Sequence, residues 1–306
     1  VGVLDVVIVG GGPAGLSAAL MLGRCRRRVV VCDEGRPRNA SARALHGYLT
    51  RDGVPPRELL RLGREELRTY GVELREIGVT DVVRAGNGFD VYLATGERLT
   101  TSKVLVASGV RDHLPPIEGL DACYGVSVHH CPYCDGWEVR DRALAVIGRG
   151  AGAAGLALSL KTWSDRVVLC TNGAARLTGA QRAQLAEHQI AVVERAIARV
   201  NHEDGRVRAL EMRRGEPVAC EAVFFSAPQA PQTEFAQRLG CEVTRKGTIK
   251  TDHLGETCVP GLYVVGDASR DVQFVIVAAA EGAKAAVSIN KSLQARAGLA
   301  TEQASS

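Results

Sequence analysis

Two cysteines, Cys131 and Cys134, stand in the run His129-His130-Cys131-Pro132-Tyr133-Cys134-Asp135-Gly136-Trp137-Glu138. A pair at this spacing can close a disulfide with itself without rearranging the rest of a fold, so it can open and shut as a switch. Such pairs tend to hold one thiolate at a depressed pKa, and the thiolate is the nucleophile of disulfide exchange. Asp135 puts an acid that can give or take a proton beside the second sulfur. His130 and His129 are further candidates for that base; the other reading of them is ordinary structural hydrogen bonding. A zinc site needs about four ligands. Cys123, His129 and His130 would add only an irregular set to the pair, so no metal is expected and a redox-active dithiol is the better reading.

The elements around the dithiol explain what it serves. Residues 3–9 form a near-continuous apolar run of the kind that makes a buried parallel strand. Gly10-Gly11-Gly12-Pro13-Ala14-Gly15 follows, then a helical stretch from Leu16 to Leu22 and a second apolar strand, Arg28–Cys32, ending at Asp33. In this context Gly10 makes a tight turn, Gly12 lets the backbone approach a pyrophosphate and Gly15 allows close helix–strand packing. Asp33, about twenty residues downstream, is placed to bond a ribose hydroxyl. The long turn-rich segment beyond it, from Arg36 to Gly53, holds Arg38 and Asn39; such loops in α/β domains are often functional. A charged helix from Pro55-Pro56 to Arg68 reads as a solvated surface with its own ion pairs. Strands Val79–Arg84, Phe89–Ala94 and Arg98–Val106 form an antiparallel meander that ends at the small residues Ala107-Ser108-Gly109, where a ligand can come close.

After the dithiol the pattern recurs. Strand Ala143–Ile147 leads into Gly148-Arg149-Gly150-Ala151-Gly152-Ala153, a helix to about Thr162 and a strand Arg166–Cys170. This is an internal duplication, so two nucleotide-binding folds are expected, with Gly148, Gly150 and Ala153 as a possible second nucleotide site. Its second strand ends in Thr171-Asn172-Gly173, without an acid for a ribose or an adjacent arginine for a 2′-phosphate. Near the end, Gly261-Leu262-Tyr263-Val264-Val265-Gly266-Asp267-Ala268 is a strand ending in Gly-Asp, and Gln273, Phe274 and a long Ala-rich helix follow.

In this order the motifs resemble the low-molecular-weight thioredoxin reductases and related flavoprotein disulfide oxidoreductases over essentially the whole chain. The resemblance implies an α/β fold of two Rossmann-like domains of the three-layer ββα type, the second inserted into the first. It places an FAD-binding domain at 1–117 and 246–306, and a domain like those that bind NAD(P), carrying the dithiol, at 118–245. The FAD would rest on Gly10, Gly12, Pro13, Ala14, Gly15 and Asp33, with Val79 near the adenine. Asp267 would bond the ribityl chain, and Gln273 and Phe274 would approach the ring. Cys134 would be the flavin-proximal sulfur, Cys131 the one that exchanges with substrate and Asp135 the acid/base partner. A homodimer is expected on the same ground.

The sequence departs from the reductases where they have an acid in the second glycine motif and arginines after the following strand. Cys131-Pro132-Tyr133-Cys134, Trp137-Glu138 and the loop His46-Gly47-Tyr48-Leu49 look more like the flavin-dependent dithiol oxidases of the gliotoxin and holomycin type, which often have His where this chain has Asp135. The reading is therefore a flavoenzyme that oxidises a dithiol substrate, a small molecule rather than thioredoxin, with oxygen as acceptor. An NAD(P)H-dependent reductase, using NADP(H) or NAD(H), is the alternative. Behind it come a ferredoxin-fed reductase and a non-catalytic flavin redox sensor.

Composition agrees with a soluble enzyme. Hydrophobic residues make up 46% and charged residues 24%, and a net charge of +4 over 306 residues gives no reason to propose nucleic acid. Nine cysteines, seven of them scattered singly, are not a secreted disulfide framework. No targeting segment or membrane span is visible, and a cytoplasmic location is expected.

Overall fold

The structure, a computed structural model, describes residues 3–226, 229–245, 247–269 and 272–299. The chain opens with β1 (Leu4–Val9), α1 (Pro13–Arg24) and β2 (Val29–Cys32). It continues through α2 (Pro56–Arg68), β3 (Glu73–Arg75), β4 (Val79–Ala85), β5 (Gly88–Leu93) and β6 (Arg98–Val106). Strands β3-β2-β1-β6 are parallel neighbours, and the antiparallel hairpin β4-β5 pairs with the first half of β6. Alternate residues of a strand point to opposite faces, and β1 shows it. Val6 and Ile8 join a core with α1 and α2, whereas Val7 and Val9 join one with Val82, Phe89 and Val91 of the hairpin. Helices, parallel sheet and antiparallel meander are thus three layers. Helix α1 starts at Pro13, earlier than the apolar pattern alone suggests, because proline suits a first turn.

The chain then passes through β7 (Val110–Asp112) into a second unit. Its elements are α3 (Leu120–Cys123), β8 (Val128–His129), α4 (Pro132–Asp135), β9 (Leu144–Ile147), α5 (Gly150–Leu160), β10 (Val167–Cys170) and α6 (Gly179–Glu187). They are followed by β11 (Ala191–Val193), β12 (Ile197–Glu203), β13 (Arg206–Met212), β14 (Val218–Ala219) and β15 (Ala222–Phe225). A parallel sheet in the order β11-β10-β9-β15-β8 and an antiparallel sheet β12-β13-β14 repeat the first architecture. Ala145 and Ile147 of β9 face the β12–β14 side, and Leu144 and Val146 face α5 and α6. The duplication seen in the glycine loops therefore extends to the layers.

The last segment returns to the first unit through β16 (Gln229–Pro231), α7 (Glu234–Arg238), β17 (Leu262–Val264), a 3-10 turn at Gly266–Ala268 and α8 (Val275–Arg296). Strand β17 pairs in parallel with the second half of β6. Helix α8 lies against α1 through small residues: a Cβ on Gly282 would come within 2.0 Å of the Ala14 carbonyl oxygen. Among the described residues no helix is long and apolar enough to cross a membrane.

Two compact units result, one of residues 1–40, 47–111 and 230–306, the other of 41–46 and 112–229. The divisions fall at 111/112 and 229/230, earlier than the 117/118 and 245/246 read from sequence. The reason is packing. Phe235, Ala236 and Cys241 enter the core of the first unit with Leu262 and Val264, while Leu114 and Ile117 pack in the core of the second.

Candidate active site

Strand β8 is only Val128 and His129, at the edge of the second unit's sheet, with His129 paired to Phe224 of β15. Its carboxyl end delivers the chain directly to the dithiol, the end of a parallel sheet where doubly wound folds place their chemistry. Cys131 and Cys134 are closed as a disulfide. Cys131 is the N-cap of α4, its Sγ accepting the Cys134 N–H at 3.1 Å. When the pair is reduced the same N–H stabilises a thiolate on Cys131, since a hydrogen bond to the charged form favours it.

Asp135 and the two histidines occupy distinct positions. His129, 6% exposed, stacks near Phe224 and places Nδ1 3.2 Å from Asp135 Oδ1. Its Nε2 is buried and has no hydrogen-bond partner among the described residues. With a proton on Nδ1 the ring can donate to Asp135. His130 belongs to another chain of contacts. Its Nδ1 lies 3.1 Å from the Tyr124 hydroxyl, which donates to Asp112 Oδ2 at 3.0 Å, and Gln229 Nε2 donates to Asp112 Oδ1 at 3.0 Å. The partners of the Tyr124 hydroxyl lie too far apart along the chain for local patterns to reveal, and nothing in the sequence singles out Asp112.

The dithiol is flanked by aromatic surface. Tyr133 is 71% and Trp137 64% exposed. Each is braced, Tyr133 edge-on to Trp163 and Trp137 under the Arg140 guanidinium, whose Cζ is 4.1 Å from the ring centroid. His46 Nε2 stands 3.5 Å from Glu138 Oε1, which ties the 41–46 segment to the strip that follows the cysteines.

In the first unit the glycine loop has the shape a dinucleotide needs. Gly10, at φ +102°, and Gly15 are filled spaces, where a Cβ would come within 2.4 Å of the Ala107 carbonyl and 2.0 Å of the Gly10 carbonyl. Gly12, the N-cap of α1, faces open space. No side chain caps α1 and its first turn, Pro13 and Ala14 onward, holds no acid, so its leading N–H groups are available to a phosphate. Asp33 follows β2 as expected, but its Oδ2 accepts from Arg64 of α2 at 2.6 Å. The α2 charges read in sequence as a solvated face, which is true of Arg61 with Glu58 and Glu65 but not of Arg64. A Cβ on Gly78, next to Val79, would touch Glu34, so the start of β4 lies against the end of β2.

Arg38 is the hub of the remaining residues. It donates to Asp267 Oδ2 at 2.8 Å and Gln273 Oε1 at 2.7 Å, and Glu281 Oε2 accepts the Gly266 N–H at 2.8 Å. Phe274 caps α8. Ser108 donates to the Gln232 carbonyl, and Gly109, at φ +65°, faces open space. Asn39 is half-buried in the same turn as Arg38. The uncapped helix start, the open Gly12 and the Arg38–Asp267 pair fit a dinucleotide flavin. Arg38→Ala is expected to weaken flavin retention roughly ten- to hundredfold, the worth of about 1.5–3 kcal/mol for a hydrogen bond to a charged group. Flavin fluorescence after gel filtration measures it.

The second loop differs. Gly150, at φ +70°, starts α5, whose first turn is again uncapped and free of acid. Arg149, however, turns back: its Nε donates to the Thr171 carbonyl at 2.8 Å and its terminal nitrogen to the Asn172 carbonyl. Asn172 Oδ1 in turn accepts the Ile197 N–H at 2.9 Å. The end of β10, where the first copy presents Asp33, is held by the protein itself.

The model of pyridine nucleotide-disulphide oxidoreductases matches residues 4–282. The chain belongs to this family. Within it, thioredoxin reductase tcpT of Claviceps purpurea is 30% identical, over 87% of this chain and 86% of that protein. Among solved structures, HlmI superposes with a TM-score of 0.94 at 41% identity, covering 96% of this chain and 94% of HlmI. A thioredoxin reductase TrxB from Bacillus anthracis, described as putative in its structure, follows at 0.91 and 30%, covering 96% and 99%. The fold is that of the thioredoxin reductase-like enzymes, with two Rossmann-like domains. Family membership makes the protein a FAD-dependent thiol–disulfide oxidoreductase acting on dithiols or disulfides.

Proposed function

We propose that the enzyme oxidises a small dithiol to its disulfide through Cys131 and Cys134, with oxygen as the final acceptor. The carrying observation is Arg149: its charge is spent on the Thr171 and Asn172 carbonyls at the place where a nicotinamide dinucleotide would need an anchor. On this reading the first unit is the FAD domain, with Gly10, Gly12, Gly15 and Asp33 on the ADP half and Asp267, Gln273 and Phe274 toward the flavin. The second unit is the dithiol domain.

A substrate thiolate attacks Cys131 Sγ, the S–S bond breaks and Cys134 leaves as a thiolate. The second substrate thiol then attacks the substrate sulfur of the mixed disulfide, closing the product and releasing Cys131. The Cys134 N–H that caps Cys131 stabilises the departing thiolate. Two electrons and two protons have left the substrate. Asp135, oriented by the His129 N–H, accepts a proton beside Cys134. His130, adjoining Cys131 and held by Tyr124, serves the substrate thiol. Bound FAD supplies a two-electron acceptor that reopens the cycle. Tyr133 and Trp137 offer an apolar surface suited to a compact substrate.

Asp135→Asn is expected to lower turnover about 10²–10⁴-fold, the usual worth of a general acid–base group, while leaving flavin content unchanged; stopped-flow flavin reduction with a dithiol measures it. The direction of the reaction is tested by oxygen uptake with a small dithiol and no nicotinamide. One oxygen consumed per disulfide formed supports the oxidase, and uptake only after NADPH addition rejects it. The uncapped start of α5 is the observation that favours the alternative, an NAD(P)H-dependent reductase.

A further inference from the structure

Cys241 and Cys258 are seventeen positions apart in sequence, at either end of the excursion between α7 and β17. Cys241 is buried among Phe235, Leu262 and Val264, and Cys258 is exposed. Their side chains are neighbours, with Thr257 beside Cys241 as well. Cys258 Sγ also points to the Gly240 carbonyl at 3.5 Å, one residue before Cys241. The ammonium of Lys250, on the same excursion, is held by Glu242 at 2.9 Å.

We infer that Cys241 and Cys258 form a second redox dithiol, separate from the catalytic pair, which a peroxide closes to a disulfide. Exposure makes Cys258 the sulfur that reacts first. Its thiolate attacks a peroxide oxygen; an S–O bond forms, the O–O bond breaks and hydroxide leaves, giving a sulfenic acid. The Cys241 sulfur then attacks Cys258 Sγ. The S–S bond forms, the S–O bond breaks, and the departing hydroxide takes the Cys241 proton as water. Two thiols and one hydrogen peroxide yield one disulfide and two waters. Burial raises the Cys241 thiol above the ordinary range, which keeps it protonated until the sulfenic acid is beside it. Closing the pair ties the 242–257 excursion at its base, just before the strand that leads to Gly266 and Asp267. The inference holds whichever way the catalytic dithiol runs.

The molecule carries its own controls. Cys170 and Cys220 also lie near one another, but burial pushes each thiol up to about 12, and no exposed sulfur begins the reaction. Cys25 is exposed.

The test treats the flavin-loaded enzyme with hydrogen peroxide, blocks remaining thiols with N-ethylmaleimide and maps unreduced peptides by mass spectrometry. A linked peptide joining Cys241 to Cys258, lighter by two hydrogens and split by dithiothreitol, is the expected result, with Cys170 and Cys220 labelled only after denaturation. Conversion of Cys258 to sulfinic or sulfonic acid with Cys241 left as a thiol would overturn the inference. Cys258→Ser is expected to keep dithiol turnover and flavin content unchanged and to leave Cys241 unoxidised at the same peroxide dose. A Cys241 that crosslinks to another cysteine in this variant would also overturn it.

Discussion

Replacing Cys134 by Ser is expected to abolish turnover, by about 10⁴-fold or more, the scale of losing a covalent catalytic group, while the protein folds and keeps its flavin. The serine cannot form the disulfide that receives the substrate's electrons. Its backbone N–H still caps residue 131, so α4 stays in place. Cys131→Ser should lose as much for a different reason: the substrate thiolate has no disulfide sulfur to attack, yet a serine is a good N-cap and preserves the turn. Stopped-flow flavin reduction by a dithiol reports both. Turnover within tenfold of the parent in either variant would place the chemistry outside this pair.

Gly282→Val is expected to cost more than about 4 kcal/mol, the exceptional end of single substitutions, and to release the flavin. Position 282 faces the first turn of α1, where a Cβ would stand 2.0 Å from the Ala14 carbonyl oxygen and 2.8 Å from its carbon. Backbone cannot rotate aside as a side chain does, so α8 must retreat. Ala18, Ala19 and Leu22 of α1 and Ala285, Ala286 and Ile289 of α8 are all sealed in the same core. Separating the helices exposes them and displaces the glycine loop that begins α1. Thermal unfolding followed by circular dichroism, with flavin content measured alongside, reads the result. A variant with parental stability and full flavin would contradict the close helix crossing.

The two glycine loops and their strands were legible because each is a local pattern: an apolar run, glycines at fixed offsets, then helical spacing. The duplication follows from comparing residues 7–20 with 145–158, and the meander from its turn residues. What escaped was long-range. Arg64 looks like its neighbours on a charged helix, and only the fold brings it to Asp33. Asp112 meets Tyr124 and Gln229 through the return of the chain at β16. Residues 41–46 read as part of the first unit, yet a Cβ on Gly125 would strike the Ser41 carbonyl, which shows how tightly that segment lies on the second. The turnback of Arg149 was equally invisible. Nothing local to the glycine loop shows that the Arg149 charge is engaged by the Thr171 carbonyl.

The most direct test is an anaerobic titration of the oxidised, flavin-loaded enzyme, following flavin absorbance with NADPH, then NADH, then dithiothreitol. The expected result is no bleaching by either nicotinamide, bleaching by the dithiol and recovery of colour in air. Prompt stoichiometric bleaching by NADPH or NADH would contradict it and mark the second glycine loop as a working nicotinamide site.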